Sequence, residues 1–313
     1  MRSKNSQSIF PVLTVSLLLG TGCGPAATDS ADDPAAAVTP HRLVSLTLMT
    51  DEILLDLVAP ERIVALSAFA ADPRLSNVAD RAGDFPALAL HVEPVLALQP
   101  DRVFVADWSD AAKVNQLRAA GIPVTVVPSP SSLAEIRSAL LDIGRSVDEE
   151  ERARELIAAM DRILEDINNA TSTIPPGERL RVLDLHAWGS VSAAGTSWDA
   201  LLQAANLVNA AAGLRTDRHG QAPLSAENLL ALDPDLIVLP GWLPGDPDAA
   251  EQFREELLRD PSLRPLRALQ TDRVLLMPER LRSTTSHYIA HGAAFLARAA
   301  YSADCVGSTD LQP

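Results

Sequence analysis

His287, Tyr288 and His291 stand close together near the carboxy terminus. On a helix, the i, i+4 spacing of His287 and His291 puts two imidazoles on one face. With the Tyr288 phenol they could coordinate haem iron or a bare metal ion. No Glu follows His287, so the zinc-protease pattern is absent. The other histidines, at positions 41, 91, 186 and 219, show no ligand spacing, and a pocket-edge His beside a helix-surface His is the plainer alternative. Gly189–Gly195 is rich in Gly and Ser after a strand pattern. The chain nevertheless has no G-x-S-x-G elbow, no Walker loop and no G-x-G-x-x-G. No catalytic residue is assigned, the chain is read as a non-enzyme, and no resident cofactor is expected.

Aromatic residues are 4% of the chain, with four Trp. Three of these fall just past predicted strands: Trp108, Trp188 and Trp242. Met49 and Phe69 occupy comparable positions after the first two strands, while Trp198 opens a helix. Ligands of open α/β sheets sit beyond the carboxyl ends of the strands. Met49, Phe69, Trp108, Trp188, Trp242, Arg280, His287 and Tyr288 are therefore the candidate ligand-binding residues. Flat rings suit a large, flat ligand. Arg280 and Arg282 suit a carboxylate or catecholate, a surface charge being the alternative for each.

The elements that must position these residues are α/β units. Leu43–Leu46, Ile63–Ser67, Arg102–Ala106 and Val124–Val127 read as buried parallel strands. Helical patterns lie at Asp51–Val58, with Thr50 as its N-cap, and at Val92–Leu98, Asp110–Ala120 and Ser132–Ser146. From Asp148 to Ile167 the apolar residues Leu156, Ile157, Met160, Ile163, Leu164 and Ile167 form one helical stripe. A second series follows, with strands at Val182–Leu185, Leu236–Leu239 and Val274–Met277. Its helices are read at Trp198–Ala211, Ala226–Ala231, Ala249–Leu258 and Ser286–Ala300. The fold class is α/β, with mostly parallel sheets and flanking helices.

One phrase occurs twice. Glu93-Pro-Val-Leu-Ala-Leu-Gln-Pro-Asp101 precedes a strand, and so does Glu227-Asn-Leu-Leu-Ala-Leu-Asp-Pro-Asp235. The shared register points to two related lobes.

The amino terminus reads as an address. Arg2 and Lys4 precede an apolar run from Ile9 to Leu19, too short to span a bilayer and laid out like a secretory signal. Gly20-Thr21-Gly22-Cys23 resembles a lipobox, with Gly20 where Leu is usual. This resemblance implies cleavage after residue 22 and lipidation of Cys23. Gly24–Pro40 is Ala/Pro/Asp-rich and reads as a tether. Only Cys305 then remains as a thiol, so the fold rests on its core and not on disulfides. The formal charge of −15 repels phosphate backbones and argues against nucleic acid as a partner.

The stretches Arg42–Leu54, Glu93–Val105, Gly121–Val124, Glu227–Val238 and Arg273–Pro278, with the helix at 148–167, together resemble a known family. It is that of the periplasmic substrate-binding proteins of ABC importers for iron–siderophore complexes, haem and cobalamin. The resemblance implies two lobes joined by one long backbone helix, with the ligand in the cleft between them. The corresponding boundaries are a signal peptide over 1–22, a lipidated Cys and tether over 23–40, an amino-terminal lobe over 41–146, the backbone helix over 147–170, and a carboxy-terminal lobe over 177–303. It also implies that Glu93 and Glu227, one per lobe, dock on a permease that works with an ATPase. The expected ligand is a large chelate of Fe or Co, a ferric siderophore or cobalamin before haem. The expected protein is a monomer outside the cytoplasm, held to a bacterial membrane only by its lipid. A receptor for a free transition-metal ion and a hydrolase on the same fold are the alternatives.

Overall fold

The computed structural model describes residues 39–301. The predicted signal peptide, Cys23, most of the tether and Cys305 lie outside the described residues. The first series forms a five-stranded parallel sheet in the order β3-β2-β1-β4-β5. Its strands are β1 (Leu43–Ser45), β2 (Ile63–Ser67), β3 (Ala87–Leu88), β4 (Arg102–Ala106) and β5 (Val124–Val127). The helices α1 (Leu48–Leu57), α2 (Ala79–Ala82), α3 (Val92–Ala97), α4 (Ala111–Ala119) and α5 (Leu133–Ser146) alternate with them. The first helix starts three residues earlier than the Asp/Glu pair suggests. Thr47, not Thr50, caps it by accepting from the Thr50 N–H, while Thr50 is buried.

The long helix α6 (Glu150–Thr171) follows. Its buried face carries Ala153, Leu156, Met160 and Ile167, the last three each contributing roughly 1.5–3 kcal/mol on burial. Gly144 permits the close crossing of α5 and α6, because a Cβ there would sit 2.7 Å from the Ala153 Cβ.

The second sheet is also parallel, in the order β11-β10-β6-β8. It comprises β6 (Arg181–Asp184), β8 (Val208–Asn209), β10 (Leu236–Pro240) and β11 (Val274–Met277). Beside it β7 (Ser190–Ser192) and β9 (Gln221–Pro223) form an antiparallel pair. The helices here are α7 (Ser197–Ala204), α8 (Ala226–Leu232), α9 (Ala249–Arg259), α10 (Arg267–Gln270), α11 (Glu279–Arg282) and α12 (Ile289–Tyr301). Two helix boundaries differ from the sequence reading. The chain leaves α7 at Ala204, because Asn206 takes a left-handed turn at φ 59° and β8 follows. Ser286, His287 and Tyr288 form a hydrogen-bonded turn ahead of α12 instead of its first turn.

The repeated phrase folds the same way in both lobes. Each copy ends a short helix on a residue with positive φ, 45° at Gln99 and 40° at Asp233, just before its Pro. Asp101 then accepts from the Arg42 N–H at 2.9 Å, and Asp235 from the Arg181 N–H at 2.8 Å. The Arg42 guanidinium donates to the Leu98 carbonyl at 2.7 Å, and that of Arg181 to the Leu232 carbonyl at 2.7 Å. An Arg at the start of the first strand of each series, Arg42 just before β1 and Arg181 opening β6, thus clamps the end of the helix that carries Glu93 or Glu227.

One continuous core joins the elements. It runs from Leu43, Ile53 and Phe104 through Ile136, Leu156 and Met160 to Trp198, Leu201, Val238, Ala293 and Leu296. Separate apolar clusters cover the far face of each sheet.

Candidate functional site

Between the carboxyl ends of β4 and β5 and the β7–β9–α7 corner lies a cleft of about 730 Å³. Asp107, Trp108, Ser129, Pro130 and Ser131 line one wall. The other is formed by Ser192, Gly195–Trp198, Arg218–Gln221 and Thr285. Trp108 is 71% exposed, so its ring is available as a wall. Asp107 accepts from the Ser129 N–H at 3.1 Å and hydroxyl at 2.8 Å. Partial burial pushes its carboxyl up, but these bonds outweigh that and hold it below its ordinary value. On the opposite wall Thr196 caps α7 by accepting from the Asp199 N–H. The following strand approaches so closely that a Cβ on Gly220 would lie 2.3 Å from the Thr196 methyl. This approach brings Arg218, His219 and Gln221 to the cleft. The Arg218 Nε–H donates to His219 Nε2 at 2.8 Å.

Beneath this wall lies a buried ion network. Arg282 donates to Asp184 at 2.7 Å, to Glu279 at 3.0 Å and to His186 Nδ1 at 2.9 Å. The Ser192 hydroxyl donates to Asp184 at 2.8 Å and accepts from Gln221 at 3.2 Å. Burial alone would raise the Asp184 carboxyl, but the Arg282 guanidinium, His186 and Ser192 bring it below its ordinary value. His186 Nε2 is 3.1 Å from the Ser192 oxygen. A nucleophile–base pair would need a free imidazole lone pair there. Because Nδ1 already accepts from Arg282, the imidazole proton resides on Nε2 and no lone pair faces Ser192.

Of the eight sequence-predicted ligand residues, Trp108 lines this cleft. Phe69 and Trp188 are exposed past β2 and β6, and Trp188 stacks on His186 with ring centroids 4.5 Å apart. Met49 is buried in the core on α1. The Trp242 ring is covered by Arg74. Arg280 ties the lobes through its backbone, donating to Arg74 and accepting from Asn77. His287 and Tyr288 both bond Asp56 of α1 at 2.9 Å, and Arg81 pairs with the same carboxylate at 2.8 Å. Burial raises the Asp56 carboxyl, but His287 and Arg81 together outweigh it and lower it. The Nε2 of His287, a residue weighed in the sequence as a metal ligand, is thus committed to an inter-lobe hydrogen bond. Among the described residues no group of three or more His, Cys, Asp or Glu is arranged to hold a metal ion.

Glu52 adds a further tie between lobes. Its carboxylate accepts from the Asn77 N–H at 3.0 Å and side-chain amide at 2.7 Å, and from Thr284 at 3.1 Å and Ser286 at 2.5 Å. Burial nevertheless pushes it above its ordinary value. Glu93 and Glu227 are exposed in the first turns of α3 and α8. On the C-lobe wall of the cleft, Ser192 and Gly195 fall in the Gly/Ser-rich run read from the sequence, whereas Arg218 and Gln221 were not apparent there. The local signal for the latter is Gly220, since a Gly between polar residues marks a close backbone approach.

A family model described as periplasmic binding protein matches residues 43–281. The chain belongs to that family. This periplasmic binding protein is 25% identical over 264 residues to the uncharacterized ABC transporter substrate-binding lipoprotein YvrC of Bacillus subtilis, a match covering 75% of this chain and 81% of the relative. Its fold is similar to that of a periplasmic binding protein from Veillonella parvula, with a TM-score of 0.73 at 18% identity, covering 83% of this chain and 91% of the other. It is also similar to a periplasmic heme-binding protein from Pseudomonas aeruginosa, with a TM-score of 0.68 at 25% identity, covering 84% and 94% of the two chains. The two-lobe α/β architecture expected from the resemblance is shared with these proteins.

Proposed function

We propose that this periplasmic binding protein is a lipid-anchored, extracytoplasmic receptor. It captures a metal chelate, a ferric siderophore or cobalamin before haem, and delivers it to an ABC permease with its ATPase. The observation that carries this reading is the cleft of about 730 Å³, walled by both lobes and bearing an exposed Trp108. Its volume falls within the usual range for small-molecule sites, ~300–1,000 Å³. The likeness to the heme-binding protein of Pseudomonas aeruginosa and to the ABC transporter lipoprotein of Bacillus subtilis supports the ligand class and the anchor. Glu93 and Glu227 are exposed on equivalently clamped helices, which suits two-point docking on a permease. Cys23 would carry the lipid.

Intrinsic fluorescence of the full chain in detergent tests this reading, titrated with cyanocobalamin, a ferric hydroxamate and haemin. One-to-one saturable quenching by at least one of them, weakened about tenfold or more in Trp108→Ala, is the expected result. No saturable response to any of the three would overturn it.

A further inference from the structure

The charge of the cleft wall is sparse. Asp107 is its acidic group, Arg218 its cationic one, and His219 accepts from Arg218. The other polar groups are hydroxyls and an amide, among them Ser129, Ser192, Thr196 and Gln221. Trp198 also lines the cleft, is 4% exposed, and has an indole N–H without a hydrogen-bond partner. Such a donor is matched by a neutral oxygen acceptor as well as by an anion. Neither of the arginines read from the sequence as anion partners adds a cation to the lining. Arg282 is spent on Asp184 and Glu279, and Arg280 is not among the lining residues. The sequence as a whole carries a formal charge of −15.

A polyanionic chelate entering this space would give up its hydration to face one guanidinium and one carboxylate. A buried charge without a partner is costly, whereas hydroxyl and amide groups satisfy a neutral polar periphery at little cost. We infer that the cleft selects an electroneutral chelate with an amide- or hydroxyl-decorated surface and rejects polyanionic chelates of similar size. This inference rests on reading the cleft as the ligand site.

The test compares probes of one size class and different charge on the full chain in detergent: cyanocobalamin and a neutral ferric tris-hydroxamate against a trianionic ferric tris-catecholate. The neutral probes should bind at least about tenfold more tightly, with little dependence on salt. Asp107→Asn should narrow that ratio by about three- to tenfold, since it removes the wall's own negative charge. Equal or tighter binding of the tris-catecholate overturns the selectivity and leaves the receptor reading standing. Failure of all three probes to bind overturns this inference; the receptor reading falls with it only if haemin is silent as well.

Discussion

The Arg74 guanidinium of the amino-terminal lobe lies over the ring of Trp242 in the carboxy-terminal lobe, 4.5 Å from the ring centroid. Asp72 holds the guanidinium in place at 2.5 Å. The contact closes one side of the inter-lobe boundary and leaves the Trp108 side open. Arg74→Ala should therefore expose the Trp242 indole, shifting its emission to the red. It should also speed amide exchange across residues 69–78, with little loss of overall stability. An unchanged spectrum would show that the cation–π contact is not held in solution.

Asp51 is buried on α1 and accepts from the Ser67 N–H at 3.0 Å and from the Ser67 hydroxyl. Burial outweighs these bonds and raises its carboxyl to about 7 from 3.8. The folded state therefore holds a proton that the unfolded state releases between these values. The associated stability is fully present below pH 3.8 and is lost as pH rises to about 7. Urea titrations of the wild type and Asp51→Asn at several pH values check this. The stability of the wild type relative to the variant should fall by roughly 3 kcal/mol from pH 5 to pH 8. A difference that stays flat across that range would place the Asp51 carboxyl at an ordinary value.

Removing Arg282 strands a buried carboxylate. Arg282→Met should destabilise the fold by ~3–5 kcal/mol, because Asp184 keeps its desolvation cost and loses its counter-charge. The double variant Arg282→Met/Asp184→Leu should recover a large part of that loss. Denaturant midpoints of the two variants measure this. If the double variant is no more stable than the single one, the pair contributes packing and not charge compensation.

The paired glutamates give a prediction about delivery. Glu93→Ala/Glu227→Ala should leave chelate affinity within about twofold of wild type and abolish uptake in cells that carry the cognate permease. Affinity falling together with uptake would show that the substitutions disturb the cleft.

Much of the architecture was legible because it rests on local chemistry. The stripe from Leu156 to Ile167 marks α6, and the β-branched runs mark β2, β4, β5 and β10. The doubled Glu…Pro-Asp phrase marks two similar helix–strand junctions. What escaped depends on partners distant in sequence. Arg282 looks like a free cation until Asp184 is placed beside it, and His287 looks like a metal ligand until Asp56 arrives from α1. The β7–β9 pair is built from three-residue strands, Ser-Val-Ser and Gln-Ala-Pro, too short for an alternation to show. The Ala-rich stretch to Ala211 suits a helix by composition, and the turn at Asn206 overrides that preference.

The core that runs from Leu43 through α6 to Leu296 belongs to neither lobe alone. Melting should accordingly proceed as one cooperative transition, not as two separable ones. The exposed connection around Pro175–Glu178 lies at the end of α6 and outside that core. A protease cutting there would leave a nicked molecule whose fragments stay associated, because neither fragment retains a complete interior.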